Sequence, residues 1–160
     1  MPGVSIKNFT RRTSSVTGLP FAKVAKTVLP SWDISLVFVG PAKARALNVK
    51  LRGKTYVPNV LSYTLDAKNG EIIICLAEAK KQASTYDMTE RQFVLYLFIH
   101  GLLHLKGWAH GVTMEQCERK LLAKFAKGSA SPLPNVTTHR NRNRHRHLPS
   151  KNGRGRRSRR

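Results

Sequence analysis

The sequence predicts an α+β domain in which a small mixed β-sheet of about four strands packs with about five helices. Four short runs of apolar or alternating residues have the length of strands and are bounded by turn-forming residues. Stretches with apolar residues at helical spacing lie between and after them. One of these helical stretches, 93–105, is apolar on nearly every side, which predicts a buried helix at the centre of the fold.

The first half of the chain alternates strands with helices. Alternation of apolar and polar residues predicts a first strand. A segment with weak helical spacing follows and ends at a proline, and a second, apolar strand ends at a glycine. A proline in the first turn favours the start of the next helix, and a loop follows it. These elements are a strand at Val4–Phe9, a helix at Phe21–Leu29, a strand at Ile34–Val39, a helix from Pro41 to about Arg52 and a loop at 52–58.

The second half begins with two strands joined by the turn 66–70, which favours a hairpin. A short helix, the long buried helix and a last helix follow. Thr113 and Gln116 have the spacing of a capping box, which predicts the start of the last helix. These elements are strands at Val60–Leu65 and Glu71–Leu76, then helices at Ala77–Tyr86, from Asp87 or Thr89 onward, and from Thr113 to about Lys127.

Positive charge is spread over the whole chain, whose formal net charge is +21. Residues 128–160 hold ten of the 29 Lys and Arg residues, contain no Asp or Glu, and are poor in apolar side chains. We therefore predict a domain at 1–127 and a disordered arginine-rich tail at 128–160. Both parts are basic, so nucleic acid is the first expected partner and an anionic membrane the second; nonspecific attraction is the alternative.

Compartment signals are few. Cys75 and Cys117 are too few and too far apart for a disulfide framework, so buried free thiols and a reducing compartment are predicted. No stretch has the length of a membrane-spanning helix. Residues 1–32 are basic and lack acids, as in organelle transit peptides, but the first strand favours a mature N-terminus. The expected location is the cytoplasm, or an organelle matrix if a transit peptide is present.

Three of the six histidines lie within eleven residues. On a helix, His100 and His104 share one face one turn apart. Gly107 can form a left-handed C-terminal cap, which would let His110 return toward them. Three imidazoles with one open position for water are the ligand set of a catalytic zinc site. This spacing predicts a zinc site on the central buried helix.

This helix has two other interpretations. The histidines could be core residues with backbone partners, but buried imidazoles need partners, and a shared metal supplies one to both. The helix could belong to a thermolysin-type protease, but that motif needs Glu directly after the first histidine as general base. Gly101 stands there, which disfavours peptide hydrolysis by that mechanism.

Five segments of the chain carry a resemblance to a known family. The chain has H-G-L-L-H-L-K-G-W-A-H at 100–110, and upstream of it Leu47-Asn48, Arg52-Gly-Lys54, Asn59–Tyr63 and Gly70–Ile74. With these segments it resembles, over about residues 3–127, the YbeY-type bacterial rRNA maturation factors, which are zinc-dependent endoribonucleases. The signature of that family is close to H-G-x-L-H-L-x-G-[YF]-D-H, and the family also has Leu-Asn, Arg-Gly-Lys, a T-D-V-L-S-F strand and a G-[DE]-I-x-I strand.

Two departures from the family pattern concern carboxylates. Ala109 replaces the Asp before the last histidine, and Asn59 replaces the Asp ahead of V-L-S. A carboxylate beside a metal site often orients an imidazole or handles protons. We expect these replacements to affect the catalytic rate more than the binding of zinc.

The resemblance implies a single-strand-specific endoribonuclease that processes the 3′ end of small-subunit rRNA. It implies one Zn²⁺ per chain on His100, His104 and His110, with catalytic roles for Arg52 and His100. Arg52 and Lys54 would bind substrate, although Arg52 could instead be an ordinary surface cation. The implied partners are the pre-ribosomal small subunit, ribosomal proteins and an assembly GTPase.

Two alternatives to this activity remain. One is a zinc-stabilised RNA- or ribosome-binding assembly factor with weak or no catalysis, which the two lost carboxylates favour. The other is a metal-dependent hydrolase of a smaller substrate, which the positive charge of the chain disfavours. No acid is an obvious general base, and Glu71, on a predicted strand, has no evident place near the metal.

Overall fold

The structure is a computed structural model, and it describes residues 2–126. This part of the chain contains four strands and five α-helices, which confirms the predicted α+β class. A short 3₁₀ turn, Ser84–Tyr86, follows the third helix. The strands are β1 (Val4–Asn8), β2 (Asp33–Val39), β3 (Val60–Asp66) and β4 (Asn69–Cys75). The helices are α1 (Phe21–Val28), α2 (Pro41–Arg52), α3 (Leu76–Ala83), α4 (Glu90–Leu105) and α5 (Val112–Phe125).

The four strands form one mixed sheet in the order β1-β2-β4-β3. β1, β2 and β4 are parallel, and β3 joins the edge antiparallel to β4 as the predicted hairpin. The connecting turn is shorter than expected, because Asp66 closes it. Its carboxylate accepts hydrogen bonds from the Lys68 N–H at 3.1 Å and the Asn69 amide at 2.7 Å. β4 therefore begins at Asn69 rather than at Glu71.

Apolar side chains cover both faces of the sheet. Phe38, Ile72 and Ile74 belong to the larger cluster, which also holds the apolar residues of α1 and α4. A smaller cluster on the opposite face includes Val37 and Ile73 and packs against α2. α4 lies in the larger cluster and buries apolar side chains all round, as predicted from its composition.

Close packing explains the glycine that follows the first histidine of the motif. A Cβ atom at Gly101 would lie 3.1 Å from two side-chain carbons of Ile72 on β4. Gly101 therefore permits α4 to approach the sheet closely. Position 101 faces the sheet, so the geometry agrees with the exclusion of a thermolysin-type base there.

The starts of the last two helices differ in their agreement with prediction. Thr89 caps α4 in a capping box: Thr89 Oγ accepts the Gln92 N–H at 3.2 Å, and the Gln92 side chain accepts the Thr89 N–H at 2.9 Å. The predicted capping box of Thr113 and Gln116 is wrong. α5 begins at Val112 with Gly111 at the N-cap position. Thr113 is already helical, whereas a capping residue needs a non-helical backbone.

Three further sequence predictions concern the cysteines, membrane-spanning helices and the basic tail. Cys75 is a buried free thiol as predicted, whereas Cys117 is a free thiol that is only half-buried. Among the described residues, none of the helices combines the length and the hydropathy that crossing a bilayer requires. The predicted tail at 128–160 lies outside the described residues.

Candidate metal centre

Three imidazole rings converge at the C-terminal end of α4. His100 and His104 lie one turn apart on the helix, and His110 comes from the loop between α4 and α5. One ring nitrogen from each histidine lies within 4.8 Å of those of the other two. His100 and His104 are partly buried, and His110 is exposed. The structure thus brings together the three residues that spacing predicted as metal ligands.

The end of α4 directs the chain back toward its own histidines. The Gly107 N–H donates to the carbonyl of His104 at 2.9 Å, and the Trp108 N–H donates to that of Leu103 at 3.0 Å. Together with a φ of 92° at Gly107, these two bonds form a Schellman motif. The turn also places the Trp108 carbonyl 3.0 Å from Nδ1 of His104.

Hydrogen-bond partners determine the tautomers of the two helical histidines. A carbonyl oxygen only accepts, so Nδ1 of His104 must carry the proton that it donates to Trp108. Nδ1 of His100 lies 2.6 Å from Oε1 of Glu118, and an ionised carboxylate also only accepts. In the neutral form of each ring the proton is therefore on Nδ1, and Nε2 carries a lone pair.

The two Nε2 atoms lie 3.0 Å apart. Two lone pairs at that distance repel each other unless a proton or a metal ion lies between or beside them. The separation is close to the roughly 3.3–3.4 Å expected for two nitrogens that share one tetrahedral zinc ion. Because the third imidazole converges on the same point, a metal ion fits the site, and an all-imidazole donor set suits zinc and other late transition metals.

The electrostatics of the site favour the ligand form of His104. Burial lowers the pKa of this imidazole, and the neighbouring His100 and His110 lower it further. The hydrogen bond to Trp108 opposes this shift but does not cancel it. His104 therefore stays neutral to more acidic pH than an ordinary histidine, and only the neutral ring can bind a metal.

Glu118 is a site residue that the sequence analysis did not identify. It lies on α5, its exposed fraction is 3%, and its partner is His100. The hydroxyl of Tyr96 is 3.5 Å from its second oxygen. The pKa of Tyr96 is raised, chiefly by burial and next by the Glu118 charge. The burial of Glu118 is evident only in the folded chain, where Met114, Glu118 and Leu122 form one buried stripe along α5.

The histidines open into a cleft of about 560 Å³, which is within the usual size range of ligand sites, ~300–1,000 Å³. α4, β3 and the segment from the end of α2 to β3 form its walls. Arg52 lines this cleft, whereas Lys54 is exposed and does not. Neither Asp nor Glu is among the described lining residues. These are Leu51, Arg52, Tyr56, Pro58–Tyr63, His100, His104 and His110.

A buried amide anchors the loop that follows Arg52. Asn48 is fully buried, and its side-chain N–H donates to the carbonyl of Tyr56 at 2.9 Å. Arg45 Nε donates to the carbonyl of Thr55 at 2.8 Å. Arg52 also donates to the Tyr56 hydroxyl at 3.2 Å. The Leu-Asn and Arg-Gly-Lys segments singled out in the sequence are therefore one unit that holds the cleft wall.

The two positions that depart from the family carboxylates have different surroundings. Asn59 lies in the cleft wall and donates to Gln82 at 2.8 Å, and Gln82 donates to Glu78 at 3.0 Å. Ala109 adds no polar group to the loop between His104 and His110. Glu118 is thus the carboxylate that contacts a candidate ligand in the described part of the chain.

Glu71, which had no evident place from sequence, lies behind the cleft wall. It accepts a hydrogen bond from the hydroxyl of Tyr63 at 2.8 Å, and Tyr63 lines the cleft. Burial, followed by the bond to Glu71 and the charge of Glu71, raises the pKa of Tyr63 to about 12. Tyr63 therefore presents a neutral phenol ring to the cleft at neutral pH.

Comparison with known proteins gives a consistent result. A family model described as Endoribonuclease YbeY matches residues 5–126. The Endoribonuclease YbeY of Bdellovibrio bacteriovorus is 35% identical over 112 residues, which cover 69% of this chain and 72% of that protein. The Endoribonuclease YbeY of Neisseria meningitidis serogroup A is 35% identical over 116 residues, covering 61% and 68%. The solution structure of the Thermotoga maritima protein TM1509 has a similar fold, with a TM-score of 0.59, 22% identity and coverage of 76% and 88%.

Proposed function

The chain belongs to the YbeY endoribonuclease family, and from that membership we propose that it is a zinc-dependent endoribonuclease that cuts single-stranded RNA. The observation that carries the proposal is that three convergent imidazoles and Arg52 line the same cleft. The family match and the names of the relatives support RNA cleavage. The all-imidazole donor set supports zinc.

His100, His104 and His110 would hold the metal. When bound, zinc would supply a Lewis acid for a phosphoryl oxygen and would acidify a water molecule. The catalytic contribution of His100 is to offer its Nε2 lone pair, which the hydrogen bond of Nδ1 to Glu118 directs toward the other two rings. His104 is directed in the same way by the Trp108 carbonyl.

Arg52 would bind the scissile phosphate and stabilise the charge that develops on it. A guanidinium can donate two parallel hydrogen bonds to phosphate oxygens, and donors placed before the reaction are the most effective. The contact with Tyr56 holds Arg52 in the cleft wall without neutralising it. Lys54, which lies outside the cleft, would contact the RNA backbone farther along the strand.

We extend the proposal to the cellular role. The substrate would be the 3′ end of small-subunit rRNA, and the partners would be the pre-ribosomal small subunit, ribosomal proteins and an assembly GTPase. The formal net charge of +21 supports a polyanionic partner. The expected location is the cytoplasm, or an organelle matrix if residues 1–32 include a transit peptide.

A second candidate is an RNA-binding assembly factor with a structural zinc and weak or no catalysis. The observation in its favour is that no carboxylate lines the described cleft, so a general base for water is absent from its walls. Asn59 and Ala109 are the positions at which the family pattern would place one. Both candidates need zinc and RNA binding, and they differ only in turnover.

The test is cleavage of a small-subunit rRNA precursor by the purified full-length protein, with and without a chelator. The proposal expects metal-dependent cuts that are absent in a His104→Ala variant prepared in parallel. Tight RNA binding without cleavage at any zinc concentration would establish the assembly-factor alternative. Cleavage that co-purifies with the protein and survives both the chelator and the substitution would refute the zinc-dependent mechanism.

A further inference from the structure

We propose that Tyr56 is the platform of a nucleobase subsite, on which an unpaired base stacks while its phosphate is bound by Arg52. The inference rests on the proposed RNA substrate and adds a binding site to it. It also supplies a physical reason why the cleft would select single strands.

Tyr56 is the more exposed of the two described tyrosines that line this cleft. Its exposed fraction is 46%, and the neighbouring Leu51, at 45%, is exposed in the same wall. An exposed aromatic ring beside a cation is a common platform for nucleic-acid bases, since every base has a stacking face.

Tyr56 is held in place before any ligand arrives. Asn48 donates to its carbonyl at 2.9 Å, and Arg52 donates to its hydroxyl at 3.2 Å. The preceding residue, Thr55, is held by Arg45 at 2.8 Å. A restrained ring loses little conformational freedom when a base stacks on it, so more of the contact energy remains as affinity.

The Arg52 contact determines which base would stack. A phosphate bound to the Arg52 guanidinium lies within one nucleotide of a base on the Tyr56 ring, because the two side chains touch. In a duplex that base is paired and stacked inside the helix, and the ring cannot reach it. Duplex RNA would therefore use Arg52 alone, whereas a single strand would use both residues.

The alternative is that Tyr56 only positions Arg52, and the variants at this position distinguish the two roles. If Tyr56 served only to orient Arg52, its hydroxyl would be the important group and its ring would be dispensable. Tyr56→Phe removes the hydroxyl and keeps the ring, whereas Tyr56→Ala removes both. Phe9→Ala is the matched control, since Phe9 is an exposed aromatic residue, at 74%, that does not line the cleft.

The experiment measures binding rather than cleavage. A short single-stranded RNA carrying the fluorescent base 2-aminopurine, and a duplex of the same sequence, are titrated with full-length protein. Each variant is studied in a His104→Ala background, which prevents cleavage. The salt concentration is high enough to suppress most nonspecific charge attraction. Circular dichroism confirms that each variant is folded.

We expect Tyr56→Ala to weaken single-strand binding about 5- to 150-fold and to abolish the fluorescence quenching, because one base stack is lost. Duplex affinity should change less than twofold, and Phe9→Ala should bind the single strand as the unmodified protein does. Tyr56→Phe loses the hydroxyl contact with Arg52 but keeps the ring, so it should retain the quenching and lose less single-strand affinity than Tyr56→Ala. Unchanged single-strand affinity in Tyr56→Ala, or equal losses for both RNAs, overturns the subsite. Equal loss in Tyr56→Phe and Tyr56→Ala assigns Tyr56 to positioning Arg52 and also overturns it.

The two proposals can fail separately. Base quenching by Tyr56 without any cleavage by the unmodified protein would support the subsite and reject catalysis. Cleavage that depends on Arg52, without any difference between Tyr56→Ala and the unmodified protein, would support catalysis and reject the subsite.

Discussion

Nδ1 of His100 lies 2.6 Å from Oε1 of Glu118, a carboxylate that is buried on a different helix. This contact joins α4 to α5 at the centre of the candidate metal site. It fixes the ring orientation of His100 and leaves Nε2 free to face His104. A buried carboxylate that acts through an imidazole in this way usually raises both the metal affinity and the precision of the ligand geometry.

Metal content is the first prediction. The full-length protein, purified without a histidine tag, should contain about one zinc per chain, because three imidazoles of the described residues converge on one point. The His100→Ala/His104→Ala double variant should contain almost none. Elemental analysis checks both. Stoichiometric zinc retained in the double variant would place the metal elsewhere in the chain.

Glu118 should control zinc affinity without being a ligand. Glu118→Gln keeps the size of the side chain but removes its charge, and we expect zinc affinity to fall about 10- to 100-fold. Glu118→Ala should lose at least as much and should also destabilise the fold, because it leaves a cavity against Tyr96 and His100. Competition with a chromophoric chelator measures the affinity. Equal zinc affinity in Glu118→Gln and the unmodified protein would show that Glu118 does not control zinc affinity.

Arg52 should be required for RNA processing but not for folding. Arg52→Glu removes a phosphate donor and adds repulsion, so we expect cleavage to fall by at least about 100-fold. Zinc content and the circular dichroism spectrum should remain native, because Arg52 is exposed. Lys50→Glu is the charge-matched control on the same helix, outside the cleft. A folded Arg52→Glu protein that cuts RNA at the normal rate would contradict the assignment.

Gly101 should not tolerate the glutamate of a metalloprotease motif. A side chain at this position would meet Ile72 of β4, and its carboxylate would be buried without a partner. We expect Gly101→Glu to destabilise the protein by at least about 3 kcal/mol. Urea unfolding measures the change. A Gly101→Glu protein as stable as the unmodified chain would mean that α4 is more loosely packed on the sheet than the structure shows.

The basic segment 128–160 should raise RNA affinity without choosing the cleavage site. Each phosphate contact contributes about 0.7–0.9 to the slope of log affinity against log salt. The segment carries ten Lys and Arg residues, so deleting it should flatten that slope by several units if most of them are engaged. Cleavage positions should stay the same, because they belong to the cleft. An unchanged slope or a shifted cleavage site would count against this division of roles.

Local patterns were sufficient for most of the fold and for the metal cluster. Helical spacing identified His100 and His104 as neighbours, and Gly107 indicated the turn that returns His110. The capping boxes show the limit of such patterns. Thr89–Gln92 and Thr113–Gln116 have the same spacing, yet only the first is formed. The start of α5 depends on where the preceding loop leaves the metal site, and no local pattern records that.

Glu118 was missed for a different physical reason. Helical periodicity treats an acid as a solvent-facing residue, and Glu118 is buried because a histidine on another helix needs its carboxylate. Pairing across helices is a tertiary property. The role of Asn48 was inaccessible for the same reason, because its partner, the carbonyl of Tyr56, is a backbone atom whose position depends on the folded loop.

Because of the Schellman turn at Gly107, Trp108 both caps α4 and contacts a histidine of the candidate metal centre. Its N–H closes the last turn of α4 on Leu103, and its carbonyl holds His104. Opening of that turn must therefore break the helix cap and release the ligand imidazole together. Amide hydrogen exchange at Gly107 and Trp108 would consequently report on occupancy of the site, slowing as metal is added, because a ligand that binds only the closed state reduces the population of the open one.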